Sequence, residues 1–123
     1  MIHGVVNTRC EAVVRLRIRG PGEAELEVDA VVDSGFTASL TLPATAVATL
    51  GLARQSGGGA VLADGSVRQF DIYAAEVEWE SSWRSVLVSA VGNEALAGMG
   101  LLAGHELRIE VVRGGTVEIK PLP

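Results

Sequence analysis

Four aspartates occur in this chain, Asp29, Asp33, Asp64 and Asp71, and one of them stands where a carboxylate is expensive to place. Asp33 follows Ala30-Val31-Val32. A run that is apolar on both faces implies a strand buried on both sides. A charged group directly after it bears a desolvation cost. Ser34 adds a hydrogen-bond donor, and Gly35 allows a tight turn that brings its N–H to the carboxylate. The chemistry on offer to a carboxylate is proton transfer, accepting when ionised and donating when neutral. The other three have plainer explanations. Asp29 falls on the charged face of a strand, Asp64 belongs to an Asp64-Gly65 turn, and Asp71 sits between Phe70 and Ile72 near a strand start. Alone, Asp33-Ser34-Gly35 is also an ordinary Asx turn at a strand end.

Other reactive types offer less. Cys10 is the one cysteine, so no internal disulfide is expected, and a reducing compartment is. His3 and His105 cannot build a zinc site without Cys10 or carboxylates at non-motif spacings, so no metal is expected. Nothing pairs Cys10 with a histidine as a nucleophile. Gly57-Gly58-Gly59 lacks a following helix with Lys-Ser/Thr and reads as a flexible stretch rather than a phosphate loop. No cofactor is expected. His105 beside Glu106 reads as a surface pair, and Trp79 and Trp83, flanking Ser81-Ser82, read as core or edge packing.

The elements that must position Asp33 read as strands. The chain has 123 residues, enough for one domain over 1–123, with 48% apolar and 20% charged residues. Fifteen glycines punctuate short valine-rich runs, the pattern of an all-β domain. Val14 to Arg19 alternates apolar with basic, Gly20-Pro21-Gly22 turns, and Glu23 to Ala30 alternates apolar with acidic. This predicts a hairpin with arginines facing acids. Pro43 to Leu50 reads as a helix, with proline at its first position and Gly51 at its end. Ala60 to Ala63, Asp64-Gly65 and Ser66 to Phe70 read as a hairpin, since Asp-Gly suits a turn with positive φ. Strands are expected over Ile72 to Glu80 and Trp83 to Val91. Met99 to Ala103 reads as a short helix, and Leu107 to Val111 with Thr116 to Ile119 as a closing hairpin.

Ten Lys and Arg against fifteen Asp and Glu give a net charge of -5. That disfavours nucleic acid as a partner, because it requires a basic face. The uncharged stretch near the C-terminal half, Ala95 to Gly104 with one histidine just beyond, is half of the ~20 residues a membrane span needs. No membrane partner is expected. The N-terminal residues do not form a secretory signal, so a cytoplasmic location is expected.

Three segments together resemble the retroviral-like (retropepsin-type, clan AA) aspartic proteases, in their small single-domain prokaryotic branch. They are Ala30-Val31-Val32-Asp33-Ser34-Gly35, then Ala63-Asp64-Gly65-Ser66, then Leu96-Ala97-Gly98. They stand in the family's order and the likeness covers roughly Val28 to Ile119. The resemblance implies a small closed barrel with one or two short helices. It implies Asp33, Ser34 and Gly35 as the catalytic triplet, with Ser34 bonding across a dimer. It implies substrate contacts from Phe36, Thr37 and the flap residues Ala63, Asp64, Gly65 and Ser66. Leu96, Ala97 and Gly98 would support the catalytic loop from a strand threaded beside it. The reaction needs two carboxylates sharing one proton and one water. One suitable aspartate per chain therefore implies a homodimer acting on an extended polypeptide.

Two departures from the family pattern stand out. Phe36 occupies a position that is usually small or hydroxylated. Thr37 and Met99 occupy positions where the retroviral enzymes carry a supporting acid–base pair. They motivate an alternative, a dimeric peptide-binding or structural module of the same fold without catalysis. A monomer would point instead to a generic barrel binding a small ligand.

Overall fold

The computed structural model describes residues 1–61 and 63–123. Along the chain these form β1 (Ile2–Val6), β2 (Ala12–Arg19), β3 (Glu25–Asp33), β4 (Leu40–Leu42) and α1 (Ala44–Leu50). There follow β5 (Ala53–Val61), β6 (Val67–Trp79), β7 (Ser82–Ala90), β8 (Ala95–Gly98), α2 (Met99–Leu102), β9 (His105–Ile109) and β10 (Thr116–Pro121). The protein is a small all-β barrel with two short helices.

Alternation builds the wall. On β2, Ala12, Val14, Leu16 and Ile18 are buried while Arg15 and Arg17 face water. Side chains of a strand point to opposite faces in turn, so one face can feed a core. β2 pairs with β3, β3 runs parallel to β8, β8 lies antiparallel to β4, and β4 runs parallel to β7. β7 pairs with β6, and β6 returns to β2 through Ile18 opposite Val77 and Arg19 opposite Glu76. These six strands close the barrel. β5 hangs on the far side of β6, and β1, β10 and β9 extend from the first half of β2.

The core holds Val14, Ile18, Leu40, Leu42, Val77, Val88, Leu101 and Ile119, all at 0% exposure. Burying each such side chain is worth about 1.5–3 kcal/mol. Helix α1 covers one flank with Ala46, Val47 and Leu50. Pro43 stands one position earlier than expected: its ψ of 153° is still extended, so it caps the helix instead of opening it. Gly51, at φ +60°, ends the helix and donates to the Ala48 carbonyl at 3.1 Å.

The charge pattern of the β2–β3 hairpin appears in its register, Arg15 opposite Asp29 and Arg17 opposite Glu27. Arg15 pairs with Asp29 at 3.1 Å. Arg17 bridges Glu27 at 3.6 Å and Glu78 at 3.3 Å. Arg19 turns away from Glu25, across the barrel seam, to Glu76 at 3.0 Å, and its guanidinium lies 4.1 Å from the Trp83 ring centre. Exposed pairs are worth about 0–1 kcal/mol each, so they align the seam more than they hold it.

Several expectations need correction. Gly57-Gly58-Gly59 is strand, not a flexible stretch: β5 pairs with β6 through it, Gly57 opposite Asp71 and Gly59 opposite Gln69. Ladder bonds join backbone groups, so pairing with the long β6 holds these glycines extended despite their poor strand propensity. The run expected from Ala60 to Ala63 includes Leu62, which lies outside the described residues. Val31 and Val32 are half-buried in the single chain, where burial on both faces was expected. His105 does not pair with Glu106, which faces Lys120 at 3.8 Å. Its Nε2 instead accepts the Trp79 indole N–H at 3.1 Å, and its Nδ1 lies 3.0 Å from the Ala103 carbonyl. Trp79 is 5% exposed, and its buried donor requires that acceptor. Among the described residues no helix is long and apolar enough to cross a membrane.

Candidate active site

Asp33 is the last residue of β3 and is half-buried. Its Oδ1 accepts the Gly35 N–H at 2.9 Å, and the Phe36 N–H reaches back to the Asp33 carbonyl at 3.2 Å. This tight turn fixes one carboxylate oxygen. The same local bond occurs at Asp64, which accepts the Ser66 N–H, and at Asn7, which accepts the Arg9 N–H. The bond therefore does not distinguish Asp33; its place in the barrel does.

Strand β8 lies between β3 and β4, the two strands that flank residues 34–39. It runs parallel to β3, with Asp33 opposite Gly98, and antiparallel to β4, with Leu40 opposite Ala97. Three bonds then clamp the loop from its far side. Gly98 N–H donates to Ser39 at 2.9 Å, Met99 N–H to Phe36 at 2.8 Å, and Gly100 N–H to Ala38 at 3.1 Å, each to the backbone carbonyl. Such close approach needs glycine. A Cβ on Gly98 would land on the Ala38 carbonyl oxygen and 2.5 Å from the Phe36 ring. Phe36 thus packs its ring against Gly98 and is itself half-buried. Ser34, Gly35 and Thr37 are exposed. Among the described residues, no arginine or lysine forms an ion pair with Asp33.

Two residues of the assembly went unread in the sequence. Thr41, on β4, is 3% exposed. Its hydroxyl donates to the Glu94 carbonyl at 3.2 Å and accepts the Leu96 N–H at 2.9 Å, tying β4 to the start of β8. A hydroxyl between Leu40 and Leu42 was the signal, because a buried polar group must find partners. We expect Thr41→Val, of nearly equal volume, to lower the unfolding free energy by about 1–3 kcal/mol, since both partners lose their bond. Urea denaturation measures this directly, and an unshifted midpoint would mean that the hydroxyl is dispensable. The other residue is Arg84 on β7, whose guanidinium donates to the carbonyls of Leu101 at 2.9 Å and Gly100 at 3.4 Å. It lies in phase with the buried Val86 and Val88, an inward position unusual for a cation.

Ala63, Asp64, Gly65 and Ser66 belong to the turn joining β5 to β6. From Val67 to Phe70, β6 pairs with β5 alone, and pairing with β7 begins at Asp71. The hairpin therefore leaves the barrel as a two-stranded ribbon, with Arg54 paired to Asp71 at 3.0 Å near its base. Gly65 adopts φ +84° at the tip. Asp64 Oδ1 accepts both the hydroxyl and the N–H of Ser66, at 2.6 and 2.9 Å. Among the described residues, no hydrogen bond or ion pair joins the ribbon tip to the Asp33 loop.

The Ser66 hydroxyl, then its N–H, holds the Asp64 carboxyl below the ordinary carboxylate range. A folded value below the unfolded one gives stabilisation that is present above the unfolded pKa and is lost as pH falls through the folded one. The turn is thus expected to keep its Asp64–Ser66 bonds down to the ordinary aspartate value of about 3.9 and to release them only in stronger acid. The Ser66 amide proton shift, followed by NMR, reads this transition; a midpoint at or above the ordinary value would contradict it.

An apolar groove along β6 and β7 is lined by Pro21, Ala53, Ala74, Val86 and Leu87, and includes neither Asp33 nor the ribbon tip. No known family model matches this chain and no curated protein matches it significantly, so the case for its function rests on its own geometry.

Proposed function

We propose that this chain is an aspartic endopeptidase active as a homodimer. The observation that carries the reading is the setting of Asp33: a half-buried carboxylate at the end of a barrel strand, oriented by the Gly35 N–H, in a loop clamped to β8. One such group per chain can take a proton from water but cannot also polarise the scissile carbonyl. Two copies related by a two-fold axis provide both roles, because adjacent carboxylates share a proton instead of both ionising. Water held between them gives a proton to the ionised carboxylate and attacks the peptide carbonyl while the neutral partner donates to its oxygen. The tetrahedral intermediate then collapses, the C–N bond breaks, and the departing amine takes a proton from the carboxyl that had accepted it from water.

In this reading Ser34 bonds across the two-fold and Gly35 presents its backbone to the substrate. An extended polypeptide lies between the ribbon and Asp33, near Phe36, Thr37 and residues 63–66, bonded partly through its own backbone. Leu96, Ala97 and Gly98 hold the loop beneath it. Phe36, a departure from the family pattern, sets its ring against Gly98 beside the clamped loop. A cytoplasmic setting fits a chain with a single cysteine.

Light scattering and a peptide-mixture digest from acidic to neutral pH test the proposal. A dimer whose cleavage is blocked by a statine-type transition-state mimic is the expected result. A strict monomer, or cleavage indifferent to the mimic, overturns it. Binding without cleavage would make the chain a peptide-binding module.

A further inference from the structure

Helix α2 spans four residues, Met99–Leu102, and has neither a side-chain cap nor an acidic or basic residue of its own at either end. So short a turn is not stable by propensity, and its terminal carbonyls need donors from elsewhere. Its first N–H groups are already engaged, since Met99 and Gly100 bond the Phe36 and Ala38 carbonyls of the Asp33 loop. Whatever fixes the carbonyl end of this turn therefore fixes the loop. Arg84 reaches it from β7, with one guanidinium N–H on Leu101 and a longer one on Gly100. Arg84 is half-buried, and among the described residues it makes no ion pair. A charged donor bonded to neutral carbonyls gives a stronger and more directional link than a neutral one.

We infer that Arg84 is a positioning residue for Asp33. The path runs from its guanidinium to the Gly100 and Leu101 carbonyls, through the α2 turn, to the Met99 and Gly100 N–H groups and the loop they clamp. It supplies, from a different strand and without a carboxylate partner, the support that Thr37 and Met99 cannot give as an ion pair. The catalytic meaning of this link rests on the peptidase reading; the link itself does not.

Amide hydrogen exchange on the whole chain tests the link without any substrate. In Arg84→Met, the Met99 and Gly100 amides are expected to exchange about tenfold faster or more, with Val117 and Ile119 of β10 unchanged. Arg84→Lys, which keeps one charged donor, is expected to fall between. Unchanged exchange at Met99 and Gly100 in folded Arg84→Met overturns the inference. If that variant does not fold, Arg84→Lys decides: acceleration spread evenly over β10 and α2 overturns it, and acceleration confined to Met99 and Gly100 upholds it. Given cleavage by the parent chain, Arg84→Lys should lower kcat more than it raises KM, because a misplaced carboxylate spoils the reaction more than the binding. A chain that cleaves nothing removes the peptidase reading and leaves the exchange result standing.

Discussion

Asp33→Asn is expected to leave a folded chain of unchanged assembly state and to reduce peptide cleavage by about 10³-fold or more, the range lost when an acid–base group is removed. The amide is close in size to the carboxylate, and its oxygen can still accept the Gly35 N–H that Asp33 holds at 2.9 Å. The turn should therefore persist. What disappears is the ionisable pair: an amide neither takes a proton from water nor shares one with a twin. Cleavage assays across pH, beside circular dichroism of both proteins, separate loss of chemistry from loss of fold. Turnover at the parent rate would take Asp33 out of the mechanism and the proposed activity with it.

Gly98→Ala should be the most damaging single methyl in the molecule for the loop. The added Cβ has the Ala38 carbonyl oxygen, the Phe36 ring and the Phe36 carbonyl oxygen in its way, the last two at 2.5 and 2.8 Å. Two of these three obstacles are backbone and cannot rotate aside. Either β8 withdraws from β3, breaking the pairing of Asp33 with Gly98, or residues 36–38 lift away and lose the Met99 and Gly100 clamps. Overpacking of this kind costs about 1–3 kcal/mol. Thermal unfolding should register it as a lower midpoint, and activity should fall further than stability alone accounts for, because the strain is delivered to the Asp33 loop. A variant with the parent's melting temperature would mean that the close approach is not needed.

The strands most legible in the sequence were those with one wet face. β2 and β3 announce themselves through arginines and acids in strict alternation, and their register follows from the same charges. β1 and β4 were not anticipated. Ile2–Val6 carries Gly4 at its centre and one histidine, too little contrast between faces, and its place is set by distant β10 and β2. Leu40–Leu42 is three residues long and buried throughout, so no alternation exists to read. The Asp33 triplet was visible as a carboxylate set after an apolar run, whereas Gly98 was legible only through the resemblance carried by Leu96-Ala97-Gly98. Thr41 and Arg84 were not, since each acts through carbonyls, and backbone acceptors leave no mark in the residue types around them.

The cylinder is shut along one side by a very short ladder. Ile18 and Arg19 are the residues through which β2 meets β6, whereas seven residue pairs join β2 to β3 and nine join β6 to β7. Cooperative units part first where fewest bonds must break together. The ladder of β4 with β8 is equally short, Leu40 opposite Ala97 and Thr41 opposite Leu96, so thermal excursions should part these two edges and swing β4, β5, β6 and β7 outward as one leaf. Proteolytic nicking under native conditions would then track this local opening instead of global unfolding, and a cross-link joining Arg19 to Glu76 should suppress it.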